Sequence, residues 1–237
     1  MKLFLVVSYS VSQERSNGKD SCMARGELGA GAANAAVINV GDSTAPWLGF
    51  MNVFELPANG GGYVFGSPWG IGDLRATFDD PNSKLTLWAN SIGDPNPYWY
   101  IGGGGPGAQG NKVMEANLYQ ETTGLLHGQT VTFQGIVQTN TFTQAHTAVI
   151  FVKDFAPDYS SVVTSIIPLV PGPFSVSLNT INDPARHVQV GFTITGPCVW
   201  ITDAEAAGNA MITTIPTPSG AMLMGLAVIG AARRRRA

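Results

Sequence analysis

Across residues 36–215 apolar and polar positions alternate with a period of two, the repeat of a strand with one buried face, rather than every three or four residues as on a helix. The clearest alternations, 84–88 (KLTLW), 130–137 (TVTFQGIV) and 187–194 (HVQVGFTI), are rich in β-branched and aromatic residues. Further strands are expected at 36–40, 47–55, 98–101, 112–119, 147–155, 174–178, 198–202 and 211–215. Links rich in Gly, Pro, Asn and Asp separate them. About ten strands with no amphipathic helix predict an all-β chain, a two-sheet antiparallel β-sandwich of the jelly-roll kind. Residues 203–209 have room for one helical turn. No repeat of fixed period points to a propeller or a β-helix.

Composition narrows this picture. The 237 residues include 29 Gly and 15 Pro, and only 12% are charged, about half the usual share of a soluble domain. That excludes coiled coils, helical bundles and charge-rich disordered chains. The net charge of −3 is unevenly spread: residues 35–215 carry five Lys or Arg against thirteen Asp or Glu, a net of −8, while four arginines close the chain. An acidic body without a basic stripe gives nucleic acid nothing to bind.

The two ends read differently from the body. Residues 216–220 (PTPSG) precede an apolar run at 221–232 (AMLMGLAVIGAA) and then Arg233, Arg234, Arg235 and Arg236. Twelve residues of helix reach about 18 Å, short of the roughly 30 Å hydrocarbon core, so the run suits a transient stop whose arginines stay cytoplasmic. This three-part tail, Pro216, Thr217 and Pro218, then the hydrophobic helix, then the arginine cluster, resembles the PEP-CTERM sorting signal of Gram-negative surface proteins, with Thr217 where that family usually has Glu. The resemblance covers the last 22 residues. It implies recognition by an exosortase-type membrane protease or transpeptidase, transient inner-membrane anchoring, and delivery to the cell surface or extracellular matrix. Export requires a leader. Met1-Lys2 and the apolar 3–7 begin one, degenerate because polar residues follow early, and Ala33-Asn34-Ala35 offers an A-x-A cleavage site. The expected organisation is a leader over 1–35, the sandwich over 36–212 and the sorting tail over 213–237.

Candidate chemistry in the body is sparse. Gly102, Gly104 and Gly107 satisfy GxGxxG but no helix follows to receive a pyrophosphate, so 102–110 is expected to be a loop. Cys22 and Cys198 are too few for a disulfide framework, and His127, His146 and His187 lack metal-ligand spacing. Asp73, Asp79, Asp80 and Asp94 are the carboxylates from which a glycosidase pair would have to come. Asp79, Asp80 and Asn82, or Asp42 with Asp203, offer the hard oxygens that a structural calcium prefers; no other cofactor is expected. The aromatics are more telling. Trp69, Tyr98, Trp99 and Tyr100 sit among Pro- and Gly-rich links, and flat rings in loops can stack on the apolar face of a sugar. In strand count, aromatics and loop composition the body resembles a non-catalytic carbohydrate-binding module, which makes polysaccharide the expected partner and these four residues the expected ligand-binding set. A purely structural matrix protein and a secreted glycosidase or polysaccharide lyase are the alternatives.

Overall fold

The computed structural model describes residues 35–143 and 145–214. Residues 1–34 of the expected leader, Cys22 among them, the tail residues Pro216, Thr217, Pro218 and Arg233 to Arg236, and the C-terminal run expected to be helical lie outside the described residues. Among the described residues no helix is long and apolar enough to cross a membrane.

The body is all-β. Fourteen strands run in chain order: β1 (Ala35–Asn39), β2 (Trp47–Glu55), β3 (Tyr63–Pro68), β4 (Ala76–Asp79), β5 (Lys84–Trp88), β6 (Ser91–Ile92), β7 (Lys112–Thr123), β8 (Thr130–Asn140), β9 (Thr147–Phe155), β10 (Val162–Pro168), β11 (Gly172–Asn179), β12 (His187–Pro197), β13 (Val199–Trp200) and β14 (Asn209–Thr213). The described helical pieces are two three-residue turns at Pro57–Asn59 and Asp80–Asn82.

Two six-stranded sheets form a sandwich. One has the order β10-β9-β12-β7-β2-β3 and is antiparallel throughout. In the other, β11 lines one edge of β8, and the opposite edge is shared by β1 along Thr130–Gln134 and by β14 beyond it, with β5 and β4 following. The β1–β8 pair is parallel, as is the small β6–β13 pair, so the antiparallel expectation fails at these two places. Parallel pairing is possible for β1 because it joins β8 across the chain rather than by a hairpin.

The inward faces meet over an aromatic centre. Phe192 of β12 lies 5.4 Å from Phe133 of β8 and 6.2 Å from Phe174 of β11, and Trp47 of β2 stacks on it at 6.4 Å. Met51, Met114, Ile150, Val131 and Ile212 fill the layer around them and are fully buried. Burial of each such side chain contributes about 1.5–3 kcal/mol.

Two expected strands are mostly turn. Residues 98–101 form a turn with a single bridge, Tyr100 to Gly110, and 198–202 retains only the two residues of β13. The glycine-rich 102–110 segment is a loop, and it is pinned. The Gly107 amide donates to Asp203 at 2.6 Å, and a side chain at Gly110 would collide with the Cys198 backbone. Cys198 is fully buried, its thiol donating to the Tyr100 hydroxyl at 3.1 Å.

Candidate functional site

The strand parity that points Met51, Met114, Leu118, Val152 and Val190 into the core points their neighbours to the outside of the antiparallel sheet. There, facing residues of β2, β7, β12 and β9 line up in register: Phe50 with Asn117, Asn117 with Thr193, Glu121 with Gln189, and Gln189 with Lys153. Asn117, Glu121, Lys153 and Gln189 of this set floor a groove of about 470 Å³ whose aromatic walls are Phe50, Tyr119, Phe155 and Tyr159.

Two backbone features shape this groove. Gly191 lies between Tyr119 and Phe151 in the register, where a Cβ would run into the Leu118 carbonyl and approach the Tyr119 Cα to 2.7 Å, so the floor stays low at its centre. Tyr159 sits at the β9–β10 turn with φ of +57°, a left-handed conformation that costs a non-glycine residue about 1–2 kcal/mol. The turn is held by Asp158, whose carboxylate accepts from the Ser160 amide at 3.1 Å and the Ser160 hydroxyl at 2.6 Å. The result raises the Tyr159 ring over the sheet, half exposed.

A chain of hydrogen bonds fixes the polar groups. Thr193 Oγ1 donates to Asn117 Oδ1 at 2.8 Å and Lys153 Nζ to the same oxygen at 3.3 Å; Asn52 Nδ2 donates to Glu115 at 2.9 Å. Glu121 accepts from Gln189 Nε2 at 2.7 Å and from the Tyr159 hydroxyl at 3.1 Å. Asn117, Gln189 and Thr193 are buried although they face outward, because the longer side chains beside them close over β12. Burial also lowers the Lys153 pKa, against the opposing pull of Glu115. It raises that of Tyr119, with help from Glu121, and pushes that of Tyr159 up to about 12 for the same two reasons. Both phenols are therefore neutral donors at physiological pH. The site presents pre-ordered donors and acceptors beside flat apolar rings.

The four aromatics singled out from the sequence do not share one surface. Tyr100 is 0% exposed, its hydroxyl donating to the Val199 carbonyl at 2.9 Å and also bonding the Ile92 carbonyl, so it ties β6 to β13 and has no face for a ligand. Trp99 packs edge-on against Phe65 at 6.4 Å and Tyr98 at 4.8 Å and leans on the core. Tyr98 is 38% exposed, but the Lys112 ammonium lies 4.6 Å from its ring, held by Glu55. Trp69 lines a second cavity, with Asp73 and Arg75. Placing Tyr98 and Tyr100 on a strand face is thus corrected by the turn they occupy. The groove residues were legible only as ordinary strand positions; the signal that they share a face is parity combined with a register that no single strand reveals.

The calcium candidates are engaged locally. Asp80 accepts from the Ser43 amide at 2.9 Å and also from its hydroxyl, Asp79 accepts from Asn82, and Asp42 accepts from Thr44. Hydrogen bonds from Thr44 and Asn82 hold the Asp42 and Asp79 carboxyls below the usual range. Asp203 is committed to the glycine-rich loop. Among the described residues no group of three or more His, Cys, Asp or Glu side chains is placed to hold a metal ion. No protein-family model, curated protein or solved structure matches this chain.

Proposed function

We propose that this chain is an exported cell-surface or extracellular-matrix protein whose β-sandwich binds a polysaccharide without turning it over, delivered by an exosortase-type system that reads the C-terminal tail. The groove on the outer face of the antiparallel sheet carries the reading. Phe50, Tyr119, Phe155 and Tyr159 give ring faces for the C–H surface of successive sugars, and Asn52, Asn117, Glu121, Lys153 and Gln189 give hydroxyl partners already held in place. Pre-ordering lowers the entropic cost of binding a flexible chain.

Strand order supports a jelly roll as the form of the sandwich. The succession β5-β14-β8-β11 in one sheet and β7-β12-β9-β10 in the other is that of a long antiparallel ribbon folded over on itself, with β4, β3 and β2 added at the margins. Binding without turnover is supported by the make-up of the groove: among the described residues that line it Glu121 is the single carboxylate, whereas a glycosidase needs a pair.

Affinity electrophoresis of the full chain through gels containing neutral polysaccharides tests the reading. Retardation by at least one of them, weakened in Tyr159→Ala and Glu121→Gln, is expected, with no release of reducing ends or unsaturated products. Mobility unchanged in every gel would favour a purely structural matrix protein, and product release would favour an enzyme.

A further inference from the structure

Pro68 borders both the sheet-face groove and a second cavity of about 490 Å³, which is lined by Trp69, Asp73, Arg75 and Ser91 among others. Three observations set this cavity apart. The first is charge. Of the five Lys and Arg in the acidic body, Lys84, Lys112 and Arg186 are paired with Asp79, Glu55 and Asp154, and Lys153 donates to Asn117. Arg75 is the remaining one, with neither an ion pair nor a side-chain hydrogen bond among the described residues. The second is backbone conformation. Arg75 has φ of +58°, which glycine would adopt without strain, so an arginine stands where the backbone disfavours it.

The third is an unmet hydrogen-bonding demand. Ser91, which lines the cavity, is 7% exposed and its hydroxyl has no hydrogen-bond partner among the described residues. Buried polar atoms left unpaired are costly, which marks this wall as one a polar ligand would complete. Trp69 stands beside it with its indole N–H donating to Ser67 at 2.9 Å, so the ring is held in one orientation.

We infer that this cavity is a subsite for a carboxylate-bearing sugar, a hexuronic acid unit of an acidic polysaccharide. The Arg75 guanidinium offers the planar fork that matches a carboxylate, the Trp69 indole takes the C–H face of the ring, and Asp73 and Ser91 bind its hydroxyls. This inference rests on the glycan-binding reading above but on different residues. The groove contributes Glu121 and Lys153 and selects for hydroxyls, whereas the Arg75 cavity selects for negative charge. Their common border at Pro68 lets one chain engage both.

The test measures affinity of the full chain, by titration calorimetry, for trimers of galacturonate, glucuronate and mannuronate and for their carboxyl-reduced, neutral counterparts. At least one uronate trimer is expected to bind tenfold or more tightly than its reduced form, with a preference that weakens with salt. Arg75→Gln should erase that preference and Trp69→Ala should weaken both members of the pair. Arg75 is half-buried in a turn and its side chain makes no hydrogen bond or ion pair among the described residues, so Arg75→Gln removes no such contact from the fold, and an unchanged circular dichroism spectrum checks it. A preference that survives Arg75→Gln, or no preference for any uronate, overturns the inference; tighter binding of a 6-O-sulfated neutral trimer than of every uronate overturns the carboxylate assignment. Tyr159→Ala separates the two readings. Loss of neutral-glycan binding there with the Arg75-dependent preference intact supports both, whereas neutral binding without any uronate preference leaves the groove standing and removes only the subsite.

Discussion

Tyr159 and His187 lie face to face, ring centroids 4.5 Å apart and 4° from parallel. The imidazole is fixed from both sides, accepting at Nδ1 from the Thr123 hydroxyl at 2.7 Å and donating from Nε2 to the Pro157 carbonyl at 3.2 Å. It thereby holds the phenol upright over the groove, and the left-handed turn supplies the height.

Truncation of that ring is the most direct probe of the groove. Tyr159→Ala should reduce affinity for a bound polysaccharide about tenfold, the equivalent of one aromatic contact near 1.4 kcal/mol, with the circular dichroism spectrum unchanged. Tyr159→Gly should lose the same affinity yet unfold at higher urea than Tyr159→Ala, by about 1 kcal/mol, because glycine relieves the positive φ. Equal urea midpoints for the two variants would show that the turn is not strained.

Asp154 and Arg186 form a buried pair on the rim of the core. Arg186 Nε donates to the carboxylate at 2.8 Å, its Nη2 to the Asp154 carbonyl at 2.8 Å, and the Ile181 amide to the second carboxylate oxygen at 2.8 Å. Removing one partner leaves the other charged and unsolvated. Arg186→Ala and Asp154→Ala should each destabilise the sandwich by about 3–5 kcal/mol in urea unfolding, and the double variant should cost less than their sum.

His146 makes stability depend on pH. Its ring is buried against Phe142 and Gly196, with Nε2 donating to the Pro197 carbonyl at 3.2 Å and Nδ1 without a partner among the described residues, and burial lowers its pKa below the ordinary 6.5. The unfolded chain therefore binds a proton at a pH where the folded chain does not. The urea midpoint should hold above about pH 6.5 and fall as pH drops from there through the lowered folded value. His146→Gln should flatten that fall; a slope unchanged in the variant would assign it to other groups.

Gly191→Ala tests the low groove floor. The new methyl has no room between the Leu118 carbonyl and the Tyr119 backbone, so β7 and β12 must part, at about 1–3 kcal/mol. Thermal unfolding should show the loss.

The periodicity located strands well where one face is buried and the other is wet. The expected 47–55, 84–88 and 147–155 coincide with β2, β5 and β9. It missed the two-residue β6 and the strands β3, β4 and β10, which lie at the sheet margins with few buried side chains and so carry little contrast between faces. It also gave no warning that β12 is buried on both sides, since Gln189 and Thr193 read as solvent positions until Lys153 and Asn117 close over them. Local composition correctly placed the 102–110 loop but suggested a free one, because the contacts that pin it come from Cys198 and Asp203, about ninety residues on. Trp69 stood out from sequence and does border a cavity. Tyr159 did not, because its importance comes from a backbone conformation that tyrosine rarely adopts.

The arrangement around β8 bears on the order of events during biogenesis. One edge of this central strand is completed by Asn39 reaching Gln134 across 95 positions and by Thr213 reaching Gln138 across 75. β1 precedes β8 in the chain, but β14 is the last strand of the described body, so its half of that edge stays open until nearly the whole body has been synthesised, and closing such distant contacts is slow. β14 sits between β8 and β5, so until this five-residue strand docks both of its neighbours keep an open hydrogen-bonding edge, and its seating completes the sheet.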